Sequence, residues 1–129
     1  MKVKKVLLVE DFPSLQAMIA DMIKIVFGDE TEVVIAGSLE EAHKMWEEHL
    51  ESVDAIFLDT HLGKGVTTYK LAKRISEEFN RPLVKIKRLV AISTDPEARK
   101  EMVRHGCTHE CNKSDIMSFL QDWKKDHHA

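Results

Sequence analysis

The sequence predicts an α/β fold built on a five-stranded parallel sheet. Short apolar runs alternate along the chain with segments in which apolar residues recur at helical spacing. The apolar runs are continuous, which is typical of strands buried on both faces. Polar residues recur where these runs end, and the carboxyl ends of parallel strands share one edge of a sheet. The predicted strands are about Lys4–Val9, Glu32–Ala36, Ala55–Leu58, Leu89–Ser93 and Thr108–Asn112.

The first two helices have clear start signals. Apolar residues recur at helical spacing behind Pro13, and Gly28 stands where that helix would stop. The second helix reaches about Leu50. It begins with the pattern of a capping box, in which Ser38 and Glu41 satisfy free backbone amides.

The other three helices are predicted from polar caps and apolar stripes. Thr67 or Thr68 caps the third helix, Asp95 followed by proline opens the fourth, and Ser114 caps the fifth. Gly106 ends the fourth helix. The segment 80–88 fits either an extension of the fourth strand or a loop with a basic edge.

Length and composition limit the function. The 129 residues fit one domain and leave no room for a second, effector domain. The chain is 43% hydrophobic and 32% charged with a net charge of −3, so we expect a soluble protein that binds proteins rather than nucleic acid. The apolar run that follows the basic opening is too short for a signal peptide or a membrane span, which predicts a cytoplasmic protein. The two cysteines are expected to be reduced thiols.

Five polar residues at the predicted strand ends form a candidate site. Three carboxylates, Glu10, Asp11 and Asp59, would repel one another unless a hard cation such as Mg²⁺ neutralised them. A carboxylate beside such a cation can attack a phosphoryl group, and Asp59 is the candidate nucleophile. Lys113 offers a positive charge and Ser93 a hydroxyl for phosphoryl oxygens.

These residues resemble the receiver domain of two-component response regulators, and the resemblance covers nearly the whole chain, residues 1–129. The family has an acidic pair after the first strand, a phosphoacceptor aspartate, a strand ending in a hydroxyl and a segment ending in lysine. The resemblance implies a flavodoxin-like, doubly wound (βα)5 fold with helices on both faces. The matching segments are Val6 to Pro13, Phe57 to Asp59, Val90 to Thr94 and Gly106 to Lys113.

The resemblance also implies chemistry. Asp59 would accept a phosphoryl group from a sensor histidine kinase or a phosphotransfer protein in a Mg²⁺-dependent reaction. Asp11 and Asp59 would ligate Mg²⁺ directly, Glu10 would act through a bound water, and the backbone carbonyl of His61 would add a ligand. The protein would be a phosphoacceptor in a phosphorelay, capable of self-catalysed transfer and dephosphorylation, and not an enzyme acting on other substrates.

Signalling would follow from binding of the acyl phosphate. Ser93 and Lys113 would hold its oxygens and rearrange the neighbouring loop and helix. The altered surface would then bind an unknown downstream protein. In the family that surface comprises the fourth helix, the last strand and the fifth helix, here about Pro96–His105, Thr108–Asn112 and Ser114–Lys124.

Several residues depart from the family pattern. Glu110 replaces an aromatic residue and would be costly to bury unpaired. Ser114 follows the lysine in place of proline, and Thr94 replaces a small residue beside the phosphorylation site. In the loop after Asp59, Gly63 and Thr67 replace the family's proline and glycine, so that loop should differ in shape, with Gly65 supplying flexibility. These departures allow an alternative, a receiver-like docking module that works without phosphorylation.

A third hypothesis uses the alternating residues near the last strand. His105, Cys107, His109 and Cys111 have side chains that suit Zn²⁺. Ligands two residues apart on one strand stand in a row and rarely complete a tetrahedron. Core packing of the cysteines is therefore the preferred interpretation.

Overall fold

The computed structural model describes residues 2–128 and confirms the predicted α/β fold. Five strands form one parallel sheet in the order β2-β1-β3-β4-β5. The strands are β1 Lys5–Val9, β2 Glu32–Ala36, β3 Ala55–Asp59, β4 Arg88–Ile92 and β5 His109–Cys111. The helices are α1 Pro13–Phe27, α2 Leu39–His49, α3 Tyr69–Glu77, α4 Pro96–Arg104 and α5 Ile116–His128, the last preceded by a 3₁₀ turn at Lys113–Asp115.

Helices cover both faces of the sheet, as expected for a flavodoxin-like fold. Successive side chains of β1 point to opposite faces, so Leu7 and Val9 join one core cluster while Val6 and Leu8 join the other. The first cluster packs beneath α2, α3 and α4, and the second beneath α1 and α5. Burial on both faces explains why the strands read as continuous apolar runs.

Two predicted helix starts are confirmed. The Ser38 hydroxyl accepts a hydrogen bond from the Glu41 amide at 3.1 Å, and the Glu41 carboxylate accepts from the Gly37 amide at 2.6 Å. The Asp95 carboxylate accepts from the Glu97 amide at 3.0 Å, ahead of a proline in the first turn of α4.

Two other predicted caps are wrong. Thr68 stands at the start of α3, but its hydroxyl donates to the Asp59 carbonyl at 2.7 Å and does not cap the helix. At the other end of the chain, the Asn112 side chain accepts from the Ser114 amide at 3.0 Å, so Asn112 is the cap and Ser114 lies inside the 3₁₀ turn. The Thr68 hydroxyl is taken by a carbonyl of another element, whereas Ser114 is displaced because helical backbone already begins at Lys113 and Asn112 occupies the cap position.

The segment before β4 is a loop and not an extension of the strand. Residues 80–87 form turns and irregular backbone, and β4 begins at Arg88. The Lys87 amide still donates to the Asp54 carbonyl at 3.2 Å, which aligns the loop with the end of the sheet.

The proposed row of zinc ligands does not form. Cys107 precedes β5 and packs in the cluster beneath α4, whereas Cys111 packs in the cluster on the opposite face. Both cysteines are buried free thiols, which confirms the core interpretation. None of the described helices is long and apolar enough to span a membrane.

Candidate functional site: an acidic cluster at the carboxyl edge of the sheet

Three carboxylates meet at the carboxyl edge of the central strands. Val9 pairs with Leu58 in the register of β1 and β3, which brings the residues that follow each of them to adjacent positions. One oxygen each from Glu10, Asp11 and Asp59 lies within 4.8 Å of the others. Among the side chains described, which are those of residues 2–126, this is the one set of three or more His, Cys, Asp or Glu residues grouped closely enough to hold a metal ion.

Lys113 reaches into the cluster from the 3₁₀ turn after β5. Its Nζ lies 3.0 Å from Asp59 Oδ2 and 3.4 Å from Glu10 Oε1. Burial alone would lower the pKa of Lys113, but the hydrogen bond and the charge of Asp59, together with Glu10, raise it overall. The lysine is therefore a fixed positive charge that partly offsets the carboxylates.

Glu10 is the buried member of the cluster. Its side chain is fully inaccessible to solvent, and its Oε2 has no hydrogen-bond partner within the described structure. Burial, reinforced by Asp59, raises its pKa to about 8, although Lys113 opposes the shift. A buried carboxyl group with a free oxygen is costly to retain and marks the place where a cation or proton would be bound.

Asp59 is the last residue of β3 and is nearly buried. Its carbonyl accepts from the Thr68 hydroxyl, and its Oδ1 lies 3.4 Å from the His61 amide. Thr68 therefore holds the backbone of Asp59 in place, a role that the sequence analysis did not predict. Its position as a threonine at a helix start pointed to capping, and the sequence offers no signal that this hydroxyl would instead fix β3.

Ser93 lies just beyond β4 and is buried at the same edge. Its hydroxyl oxygen accepts from the Asp95 amide at 3.0 Å, and its carbonyl accepts from Arg99 at 2.8 Å. The structure thus places Ser93 beside the cluster without a hydrogen bond to Asp59. Its role toward a phosphoryl group stays a prediction.

The loop after Asp59 has a tight, defined shape. His61 forms an antiparallel bridge with Thr67, and the Leu62 amide donates to the Val66 carbonyl at 2.9 Å. Gly63 and Gly65 both adopt a left-handed backbone, with φ of 76° and 77°, which a glycine tolerates without strain. The use of the His61 carbonyl as a metal ligand stays a prediction. Thr94, which follows Ser93, is exposed to solvent.

The donor set fits Mg²⁺. Carboxylate oxygens are the ligands that this cation prefers, and the free oxygen of Glu10 is an acceptor that a bound cation or its water would satisfy. Asp11 is exposed and Glu10 is buried, so one carboxylate is open to solvent while the other lies beneath. Such an arrangement can bind a hydrated cation at its outer side.

Comparison with known structures identifies the fold. The signal receiver domain of a DNA-binding response regulator from Colwellia psychrerythraea superposes with a TM-score of 0.77 at 16% identity, over 98% of this chain and 99% of that chain. A receiver domain of a histidine kinase from Arabidopsis thaliana gives 0.73 at 21% identity, over 98% and 91%. A response regulator receiver domain from Rhodospirillum rubrum gives 0.70 at 14% identity, over 96% and 93%. The chain has the fold of a response regulator receiver domain.

Sequence comparison adds nothing to this assignment. No protein-family model matches the chain, and no curated protein matches it at a significant level. The receiver fold is therefore established by shape. A shared fold does not determine chemistry, which depends on the residues at the carboxyl edge of the sheet.

Two departures from the usual receiver pattern have a structural explanation. Glu110 was expected to be costly to bury unpaired, but it is exposed on β5 and its Oε1 lies 3.2 Å from Arg99 Nε. Every peptide bond in residues 2–128 is trans, including the bond between Lys113 and Ser114. The lysine therefore reaches the carboxylates through a trans 3₁₀ turn capped by Asn112.

Proposed function

We propose that this protein is a phosphoacceptor receiver, in which Asp59 takes a phosphoryl group in a Mg²⁺-dependent reaction. The observation that carries the proposal is the contact of a nearly buried Asp59 carboxylate with Lys113 at 3.0 Å, beside Glu10 and Asp11. This cluster combines a nucleophile, a cation and a metal-binding set. A fold without phosphoryl chemistry would have little use for a buried, unpartnered carboxyl oxygen.

The reaction assigns a task to each group. One Asp59 carboxylate oxygen attacks phosphorus, and the bond from phosphorus to the donor breaks, with its electron pair leaving on the donor nitrogen or oxygen. Lys113 loses part of its contact with the carboxylate and binds a phosphoryl oxygen instead. Mg²⁺, held by Asp11 and Asp59 with Glu10 behind, would supply charge neutralisation.

The chemistry determines the class of partner. A phosphohistidine of a sensor kinase or a phosphotransfer protein is the matching donor, because its nitrogen is a good leaving group for an attacking carboxylate. The protein would act on itself and not on separate substrates, and it would signal by contact with a downstream protein. We place this activity in the cytoplasm, where such kinases expose their phosphohistidine.

The test is the intact mass of the protein after incubation with acetyl phosphate, with and without Mg²⁺. We expect one added phosphoryl group that requires Mg²⁺ and is absent from Asp59→Asn. The matched control is Asp21→Asn, because Asp21 is an exposed aspartate on α1. It should be phosphorylated like the wild type.

A second phosphoryl donor distinguishes an inactive protein from one that reacts with a kinase but not with acetyl phosphate. The same three proteins are therefore incubated with a phosphorylated histidine phosphotransfer domain as a second donor. Failure with both donors would overturn the proposal and favour a docking module that works without phosphorylation.

A further inference from the structure

Arg99 bridges the Ser93 segment and the surface of the last strand. Its Nη1 donates to the Ser93 carbonyl at 2.8 Å, and its Nε lies 3.2 Å from Glu110 Oε1. The side chain of Arg99 is only 14% exposed, whereas that of Glu110 is 40% exposed. One guanidinium group thus joins a residue at the site's edge to a carboxylate that solvent can reach.

The segment that carries Ser93 is held by few contacts. The Ser93 amide donates to the Cys111 carbonyl at 3.3 Å, and the Asp95 amide donates to the Ser93 hydroxyl. The Arg99 bond to the Ser93 carbonyl is the contact that ties this segment to the side chains of α4. The Ser93 oxygen lies one rotatable bond from the backbone, and its contact with the Asp95 amide favours one rotamer, so its position then follows from how the backbone is held.

Glu110 determines where the guanidinium lies. Arginine is planar and has several fixed donors, so contact of Nε with Glu110 orients Nη1 toward the Ser93 carbonyl. A lysine at the same place would be a single point charge and could not hold both acceptors in this geometry. The charge pair is partly shielded from solvent, which makes it stronger than a fully exposed pair.

We infer that Arg99 is a positioning residue for the Ser93 hydroxyl and that Glu110 controls it from the surface. This inference rests on the proposed phosphoacceptor function. A cationic partner group that takes Glu110 away from Arg99 would loosen Ser93. By linkage, an acyl phosphate held by Ser93 would alter how readily such a group binds Glu110.

A double-mutant cycle tests the inference by the rate of Asp59 phosphorylation at saturating acetyl phosphate with Mg²⁺. Ser93→Ala removes a hydrogen bond to the transferring group and should slow phosphorylation about 3- to 10-fold. Arg99→Ala should slow it by a similar factor, with little change in the half-saturating acetyl phosphate concentration. Because both changes remove the same contribution, the double variant should be no slower than Ser93→Ala.

Three further variants separate positioning from a structural role. Arg99→Lys should fail to restore the rate, and Glu110→Gln should slow phosphorylation less than Arg99→Ala but in the same direction. Arg104→Ala is the matched control, because this arginine lies on α4 and pairs only at the surface with Glu101. Thermal unfolding of each variant identifies any loss that follows from instability.

The outcomes distinguish the two proposals. A wild type that takes no phosphoryl group from either donor overturns the proposed function and this inference with it. The inference alone is overturned if the wild type is phosphorylated but the double variant is slowed by the product of the two single factors. It is also overturned if Arg99→Lys restores the rate.

Discussion

Lys113 Nζ lies 3.0 Å from Asp59 Oδ2 and 3.4 Å from Glu10 Oε1, so one ammonium group contacts two of three clustered carboxylates. Three acidic side chains face one lysine, and the proton that Glu10 holds below about pH 8 removes only one of the three negative charges. A divalent cation held by this cluster would be attracted to the same carboxylates that Lys113 contacts. Lysine and metal are therefore competitors for this site, and this relationship can be measured.

Removal of Lys113 should strengthen Mg²⁺ binding. In Lys113→Ala, we expect the increase in the free energy of unfolding caused by 10 mM Mg²⁺ to exceed that of the wild type by at least about 1 kcal/mol, because the competing charge is gone. Asp59→Asn should show a smaller increase than the wild type. The measurement is urea unfolding with and without the cation.

The control for this experiment is Lys70→Ala, since Lys70 is an exposed lysine on α3. It should respond to Mg²⁺ like the wild type. An equal response of Lys113→Ala and the wild type would show that lysine and metal do not share the carboxylates.

The buried Glu10 predicts a pH dependence of stability in metal-free buffer. Its pKa is about 8 in the folded protein, against an ordinary value of 4.5. Between these values the folded state holds a proton that the unfolded state has released, so the free energy of unfolding falls as pH rises. The slope from this group is at most about 1.4 kcal/mol per pH unit.

Glu10→Gln isolates this contribution. Histidines such as His43 and His109, whose pKa values are lowered mainly by burial, change stability with pH in the opposite direction. The difference between wild type and variant cancels them. Urea unfolding with EDTA at pH 5.5, 6.5 and 7.5 should show the variant gaining on the wild type as pH rises, and a constant difference would contradict the raised pKa.

The acidic cluster could be predicted from the sequence because its residues stand where parallel strands end. Burial on both faces makes β1, β3 and β4 readable as apolar runs, and the residues after them then meet at one edge. Thr68, by contrast, bonds the Asp59 carbonyl nine residues away, and the local pattern indicated only a cap. A contact made by tertiary packing leaves no local signal.

The same limit applies to Glu110. The sequence showed a charged residue at a position where burial would be costly. It did not show the partner, because Arg99 lies eleven residues earlier on a different element. Whether the two meet depends on how α4 packs beside β5. The two cysteines were correctly expected to be core residues. Which face of the sheet each one packs on depends on where β5 begins, and the sequence pattern placed that start one residue too early, at Thr108 instead of His109.

The buried cysteines should react slowly with thiol reagents. Burial raises the pKa of Cys107 to about 12 and, with Asp115, that of Cys111 to about 11. Only the thiolate reacts, so labelling of the native protein by Ellman's reagent at pH 8 should be at least about 100-fold slower than that of a free cysteine. Both thiols should label fully in denaturant. Fast native labelling that Zn²⁺ suppresses would revive the metal-site hypothesis.

Gly106 predicts a large and local loss of stability on substitution. Its φ is +114°, and a Cβ there would overlap the Ser76 side chain of α3. Gly28 has a similar φ of +106° but open space around it. Both Gly→Ala changes impose backbone strain of about 1–3 kcal/mol, but only Gly106→Ala adds overpacking of about 1–3 kcal/mol.

A double variant separates the two effects. Ser76→Gly removes the overlapping atoms at a cost of about 1 kcal/mol for glycine in a helix. Because the end of α4 lies so close to α3, the two changes should not be additive. The loss in free energy of unfolding for Gly106→Ala combined with Ser76→Gly should be smaller than the sum of the two single losses by at least about 1 kcal/mol, as measured by urea unfolding. Additive losses, or equal losses for Gly28→Ala and Gly106→Ala, would mean that backbone strain alone accounts for the glycine and that the two helices can move apart to admit a side chain.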